Sequence, residues 1–358
     1  MSTKKAPKLI NFFEEQKQLN LYCRPERRLV VYLWLAVYGL LLIFPRVAIA
    51  VESQAGRPYR VGVIALSRPF LRVFAGFWDG LGELGYRSGF DVTFSIHDLE
   101  KNRRQIPALV RRFAQENYDL ILTMTTPVTK SVLKANKTVG KLPVLFTCVA
   151  DPVISGIVKS LRRPNGRVSG ISHLAFQLQA KRMQLFKTAF PNMEKIAVFY
   201  NPKEQFIQGK IFPFLAPVVQ YYGLKIIKIP VCDSQQMKNA CQQLSRKMVD
   251  GIFMVPDPLP VSNFAVLVAA SRREKLPIMV IDNTLLAKGG IMGYSPDFYA
   301  VGYQLATMAK QVFNGVDPGR LPVQNPDLVT LVICLKEADK LHLSVSRNIL
   351  LLADKVIK

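Results

Sequence analysis

Two stretches about a hundred residues apart end in the same chemistry. FTCVADPVISGIV (146–158) and GIFMVPDPLP (251–260) both run apolar and then stop, at Asp151-Pro152 and at Asp257-Pro258. A carboxylate there can accept charge-assisted hydrogen bonds from an ammonium group. The proline suits the first turn of a helix, whose free N–H groups favour an anion. Comparable polar ends follow other apolar runs at Ser67, Thr125-Thr126-Pro127, Asn201-Pro202, Asp282-Asn283 and Tyr294-Ser295. Any one of these reads equally well as a helix cap or a turn. As a set they suit a small zwitterion, with acids for its ammonium and a helix N-terminus for its carboxylate.

Catalytic chemistry finds no such support. His97, His173 and His342 stand alone, without a nucleophile motif beside them. GLGELG (80–85) satisfies G-x-G-x-x-G, but a dinucleotide fingerprint must follow a strand directly, and this one closes a helix. No phosphate-binding G-x-x-x-x-G-K-[ST], no CxxC and no metal-ligand cluster occurs. The reading is a binding protein, not an enzyme, with no cofactor.

The elements that must position these residues follow from periodicity. From residue 58 onward, short β-rich apolar runs alternate with amphipathic segments of helix length, the pattern of parallel βαβ units. YRVGVIAL (59–66) is a strand; the helix 69–86 places Phe70, Phe74, Phe77, Leu81 and Leu84 on one face. The second half repeats the first. RVGVIAL (60–66) matches KIAVFYN (195–201), and YDLILTMTTP (118–127) matches VDGIFMVPDP (249–258). KLPVLFTCVADP (141–152) matches KLPIMVIDNT (275–284), and 167–187 matches 290–310. Four matches in one order and near-constant spacing specify two similar doubly wound α/β lobes. In open parallel sheets ligands bind beyond the carboxyl ends of the strands. The polar strand ends therefore line one cleft if the lobes face each other.

Composition bounds the rest. The chain has 358 residues, 49% hydrophobic and 20% charged, which is globular and enough for two lobes with a core each. The net charge of +23 raises nucleic acid as a partner. However, basic runs never exceed two residues and no aromatic-basic stripe accompanies them, so nucleic acid is not expected. Residues 1–28 are basic, 29–44 are uncharged and apolar, and Ala48-x-Ala50 follows, the layout of a secretory signal cleaved after Ala50. A retained membrane anchor is the alternative; either way the basic flank keeps the N-terminus inside and exports the body. Beyond residue 50 the chain still carries about +18 and has four cysteines. Cys148 and Cys334 read as small buried hydrophobes. Cys232 and Cys241 are spaced so that a disulfide remains open in an oxidising compartment.

ELGYRSGFDV, TTPVTKSVLKAN, LPVLFTCVADPVISGIVKSLRRPNGRVSGIS, AVFYNP, PDPL, GYSPDFYAVGYQLA and ILLLADKVI together resemble the ABC-transporter substrate-binding proteins of the tryptophan/tyrosine-binding type. The resemblance runs from about residue 58 to 358. It implies a type I periplasmic binding fold: two doubly wound parallel-sheet lobes joined by a multi-crossover hinge, with crossovers near 170, 293 and 326. The N-terminal lobe would then comprise 58–170 and 294–325, and the C-terminal lobe 171–293 and 326–358. The implied pocket is Ser67, Phe70, Thr125, Thr126, Asp151, Asn201, Asp257, Asp282 and Tyr294. Thr123-Met124-Thr125 replaces the family's small residues before the Thr-Pro turn and is expected to narrow that wall. The implied function is a monomeric periplasmic receptor that passes an amino-acid-like ligand, aromatic in part of the family, to an ABC permease in the inner membrane. A membrane-tethered sensing domain that signals occupancy to a partner protein is the second reading.

Overall fold

The computed structural model describes residues 57–65, 71–99, 102–140 and 142–358. The expected signal or anchor, Ser67 and Phe70 lie outside them. Ala55–Lys358 forms one compact unit. Among the described residues no helix is long and apolar enough to cross a membrane.

The first half runs β1 (Tyr59–Ala65), α1 (Leu71–Glu83), β2 (Val92–Asp98), α2 (Ile106–Gln115), β3 (Leu120–Met124), α3 (Thr126–Asn136), β4 (Val144–Val149) and β5 (Val168–Ser172). Its five strands are all parallel, in the order β2-β1-β3-β4-β5. Strand alternation gives each face its own core. Val61, Val63, Leu120 and Leu122 face one layer, where Phe77 and Leu81 of α1 cover them. Ile64, Ile121 and Phe146 face the other, under Ile106, Val110 and Phe113 of α2 and Val128 and Val132 of α3.

The second half runs α4 (Gln179–Ala189), β6 (Lys195–Tyr200), α5 (Phe212–Tyr221), β7 (Lys225–Pro230), α6 (Ser234–Gln243), β8 (Gly251–Phe253), α7 (Pro258–Ser262), α8 (Phe264–Glu274), β9 (Ile278–Val280) and β10 (Met292–Pro296). It closes with α9 (Phe298–Phe313), β11 (Val329–Cys334), α10 (Leu335–Lys340), α11 (Arg347–Leu352) and β12 (Lys355–Ile357). Seven strands pair in the order β12-β11-β10-β9-β8-β6-β7, with only the β10–β11 pair antiparallel. The run β7-β6-β8-β9-β10 repeats the order of the first sheet, so the four matched sequence pairs fall on equivalent strands.

The two sheets exchange their last helices. After β5, α4 packs in the second half against α5, α11 and β10, while after β10, α9 returns to lie along α1. Phe298, Val301, Leu305, Met308 and Val312 of α9 are buried in the core of the first lobe. Burying each such side chain stabilises by about 1.5–3 kcal/mol. The two helices approach backbone to backbone: a Cβ on Gly302 would overlap the Val73 carbonyl oxygen, and one on Gly76 would overlap that of Tyr299. Gly80, the first glycine of GLGELG, makes the same kind of approach to Tyr303 and Ala306. That glycine thus serves helix packing.

The crossovers differ by a few residues from expectation. Residues 171 and 172 still pair in the first sheet, as part of β5. The boundary expected at 294 falls inside β10, where Tyr294 and Ser295 pair with Leu331 and Thr330 of the second sheet. The chain leaves that sheet only after Pro296, where Asp297 caps α9 by accepting a hydrogen bond from the Ala300 N–H at 3.0 Å.

Candidate functional site

The carboxyl ends of the first sheet carry unusual backbone. Thr125, just after β3, has φ 82° and ψ 148°, a conformation that costs a β-branched residue of order 1–3 kcal/mol. Its N–H donates to the Thr147 carbonyl at 3.0 Å, which pins the turn to β4. Its Oγ1 is buried and has no partner among the described residues. Thr126 Oγ1 accepts from the Ala150 N–H at 3.3 Å, and Pro127 then starts α3. Thr123 and Met124 are buried within the lobe: the Thr123 hydroxyl meets Thr129 of α3 at 3.0 Å, and Met124 joins the α1–α9 layer. Of the three residues expected to narrow the wall, Thr125 alone stands at the strand's end.

The end of β4 is bulged. Phe146 pairs with Gly170 and Val149 with Ser172, so two residues face one between them, and Cys148 takes φ 55°. Gly170 is required there, because a Cβ would overlap the Phe146 carbonyl. Beyond the bulge, Asp151 Oδ1 accepts from the N–H groups of Val153 at 3.0 Å and Ile154 at 2.8 Å. Asp151 thereby caps a partly exposed turn with one oxygen.

In the second sheet the polar ends are tied into the protein. Asp257 is buried; its Oδ2 accepts from the Asn201 N–H at 2.5 Å and its Oδ1 from the Leu259 N–H at 2.9 Å. It fastens the end of β6 to the end of β8 and caps α7. Burial pushes its pKa up, against the two amides, which pull it down. Asn201 Oδ1 accepts from Lys203 N–H at 3.0 Å. Asp282 accepts from both the N–H and the hydroxyl of Thr284. Asn283 donates its side-chain amide to Thr330, and its backbone N–H to Ser295 Oγ at 3.0 Å. Tyr294 is partly buried and packs on the core beneath α4 and α5.

Electrostatics join the two sets of strand ends. Burial pushes the Cys148 thiol up to about 12, and Asp282 adds to the rise. The carboxylate of Asp282, after β9, thus lies near enough to the end of β4 to act on its thiol. His173, on the crossover after β5, donates its backbone N–H to Val149 and lies 5.9 Å from the Phe298 ring on the second crossover. Burial pulls its pKa down; Asp282 opposes that and Arg182 reinforces it.

Arg182 of α4 is fully buried. It donates to the Val280 carbonyl at 2.6 Å and to Gln179 Oε1 at 2.9 Å, and its guanidinium sits 4.7 Å from the centre of the Phe253 ring. Burial pulls its pKa down to about 9, with Asp282 opposing. Sequence reasoning passed over Arg182. The available signal was two polar residues, Gln179 and Arg182, on the same helical face as Met183 and Phe186.

Cavities lie at both ends of the strands. One of about 360 Å³ lies at the carboxyl ends of β9 and β10, lined in part by Arg72, Asn283, Ser295, Asp297, Thr330 and Lys355. The other, about 260 Å³, lies at the opposite ends of the strands, near Tyr59, Tyr118 and Arg167, away from every expected site residue. Among the described residues no group of acids, histidines and cysteines is placed to hold a metal ion. Cys148, Cys232, Cys241 and Cys334 are all free, with Cys232 exposed and Cys241 buried.

Of the nine expected pocket residues, Thr125, Thr126, Asp151, Asn201, Asp257 and Asp282 follow the carboxyl ends of strands, whereas Tyr294 lies within β10. Ser67 and Phe70 lie outside the described residues.

Known proteins resemble this chain in sequence and fold. The tyrosine-binding protein of Clostridioides difficile (strain R20291) is 27% identical over 274 residues, covering 75% of this chain and 77% of that protein. A conserved domain protein from Vibrio cholerae O1 biovar El Tor superposes with a TM-score of 0.72 at 26% identity, over 84% of this chain and all of that one. The ABC domain from Streptococcus pneumoniae crystallised with L-Trp superposes with a TM-score of 0.73 at 24% identity, with the same coverage. A family model described as ABC transporter substrate binding protein matches residues 61–357. The exchanged helices, the paired sheets and this match across both lobes lead to one conclusion: the chain belongs to the ABC transporter substrate-binding protein family.

Proposed function

We propose that this substrate-binding protein captures an aromatic amino acid between its lobes and delivers it to an ABC permease. The observation that carries the reading is Thr125 Oγ1, a buried hydroxyl without a partner among the described residues, held by strained backbone at the carboxyl end of β3. A polar atom so placed is satisfied by a ligand at little reorganisation cost. The tyrosine-binding relative and the L-Trp complex support the aromatic class.

In this reading Thr125, Thr126 and Asp151 receive the polar end of the ligand from the first lobe. Asp282 faces them from the second, and Tyr294, with Phe70, supplies aromatic surface. Asn201 and Asp257 hold the second lobe's strand ends in place, and Ser67 completes the set. The body works as a monomer on the outer side of the inner membrane. The N-terminal segment exports it and is cleaved after Ala50.

A thermal-shift screen over the twenty amino acids tests this. A ligand at a hundred times its Kd stabilises by about 2.7 kcal/mol, a shift of several degrees. L-Tryptophan or L-tyrosine should give the largest shift. A shift with none of the twenty, or only with small aliphatic ones, would overturn the ligand class.

A further inference from the structure

Folding gathers scattered cations onto one face of the first lobe. On the stretch Arg103–Gln115, Arg103, Arg104 and Arg111 are exposed, with Arg104, Ala108 and Arg111 on one stripe. On α3, Lys130, Lys134 and Lys137 are exposed at helical spacing, opposite the buried Val128 and Val132. The segment after β4 joins the same layer, because Ile157 and Val158 pack in the core that α2 and α3 cover. It adds exposed Lys159, Arg162 and Arg163, with an exposed Leu161 among them.

None of these nine cations forms an ion pair among the described residues. The nearby acid Glu116 is taken by Arg60 and Arg112, and Asp119 by Arg57. The other layer of the same lobe has the opposite character. There Asp79 and Glu83 on α1 accept hydrogen bonds from Tyr299 and Tyr303 of α9, and the exposed aromatics of the lobe cluster on that side.

We propose that the α2–α3 face docks on an anionic phospholipid surface. Unpaired cations spread over two parallel stripes meet a plane of headgroups without bending it, and a flanking leucine suits the headgroup boundary. Nucleic acid fits less well, because no exposed aromatic ring stands among these cations to stack a base. This surface lies on a helical face of the first lobe and its function is independent of which ligand the cleft takes.

The test is co-sedimentation of the compact unit Ala55–Lys358 with phosphatidylglycerol vesicles and with phosphatidylcholine vesicles at low salt. The protein should partition onto the anionic vesicles alone and be released by salt. Each basic residue at such a surface is worth roughly five-fold in partitioning. The combined Lys130→Gln, Lys134→Gln and Lys137→Gln variant should therefore lose about a hundred-fold. Arg103→Gln, Arg104→Gln and Arg111→Gln together should lose a similar factor. A control with Lys210→Gln, Lys238→Gln and Lys336→Gln, exposed on the second lobe, should stay within a few-fold. Equal binding to both vesicle types, or an equal loss in the control, overturns the proposal. So does retention on a DNA duplex at a salt concentration that strips the vesicles.

Discussion

The two lobes share one strand order but spend their polar strand ends differently. At the end of β3, Thr125 is strained and its buried hydroxyl has no partner among the described residues. At the equivalent end of β8, Asp257 is buried with both oxygens committed to backbone amides. The ends of β4 and β9 differ in backbone but carry acids engaged to the same extent. The first is bulged around Cys148 and leads to an Asp151 that engages the protein through one oxygen. The second is regular and leads into Asp282, which likewise accepts through one oxygen, from the N–H and the hydroxyl of Thr284. A duplicated framework thus yields two strand-end acids with an oxygen to offer, Asp151 and Asp282, and a third, Asp257, that stiffens its own lobe. The lesson is that a strand-end acid is a ligand contact or a lock according to whether backbone N–H groups occupy one of its oxygens or both.

The framework common to both lobes should be the most fragile part. Gly302→Ala places a methyl group against the Val73 carbonyl, where helix backbones meet and neither can yield. Overpacking there should cost about 3 kcal/mol, read as a lower urea midpoint at unchanged slope. A variant as stable as the parent would mean that α9 does not fix the first lobe.

Asp257→Asn should rank next. The substitution turns an acceptor into a donor that faces an N–H group, so one amide of Asn201 or Leu259 loses its partner. The expected loss is about 2 kcal/mol of stability, with ligand affinity close to the parent's. Asp151→Asn should do the reverse. Oδ1 remains to cap the turn, so the melting temperature should stay within a few degrees, while affinity falls at least about tenfold through the missing charge. If the two variants exchange these phenotypes in calorimetry and melting, the assignment of lock and contact is inverted.

A smaller effect sharpens the picture at the hinge. His173 has a folded pKa below its ordinary value because burial disfavours its charge. The unfolded chain therefore binds the proton more readily. Stability is complete above about pH 6.5 and is lost as pH falls through the unfolded value toward the folded one. His97, lowered by burial and by Arg112, acts in the same direction. Melting temperature should drop between about pH 7.5 and pH 5.5, and His173→Asn should flatten part of that drop. An unchanged slope in the variant would place the crossover histidine in contact with water.

Much of this was legible in the sequence. The four repeat matches fall on β1 and β6, β3 and β8, β4 and β9, and β5 and β10, because burial on both faces forces apolar runs of fixed spacing. The polar residues at strand ends were visible for the same reason. Their division into locks and contacts was not, since it depends on amides of neighbouring strands, such as the Asn201 N–H that reaches Asp257 across 56 positions. Arg182 was hidden because an arginine on a helix reads as solvated until its helix crosses into the other lobe. The boundary at 294 missed by three residues because Tyr294-Ser295 resembles a strand end, whereas pairing with β11 extends β10 to Pro296. The basic face was invisible as a run, for it is assembled from two helices and a loop.

The most direct measurement is small-angle scattering of Ala55–Lys358 with and without saturating aromatic amino acid. Two lobes joined by three crossovers should close by hinge motion when the ligand bridges the strand ends of both. The expected result is a smaller radius of gyration in the bound state, reversed on dialysis. A radius unchanged at demonstrated saturation would contradict capture between the lobes.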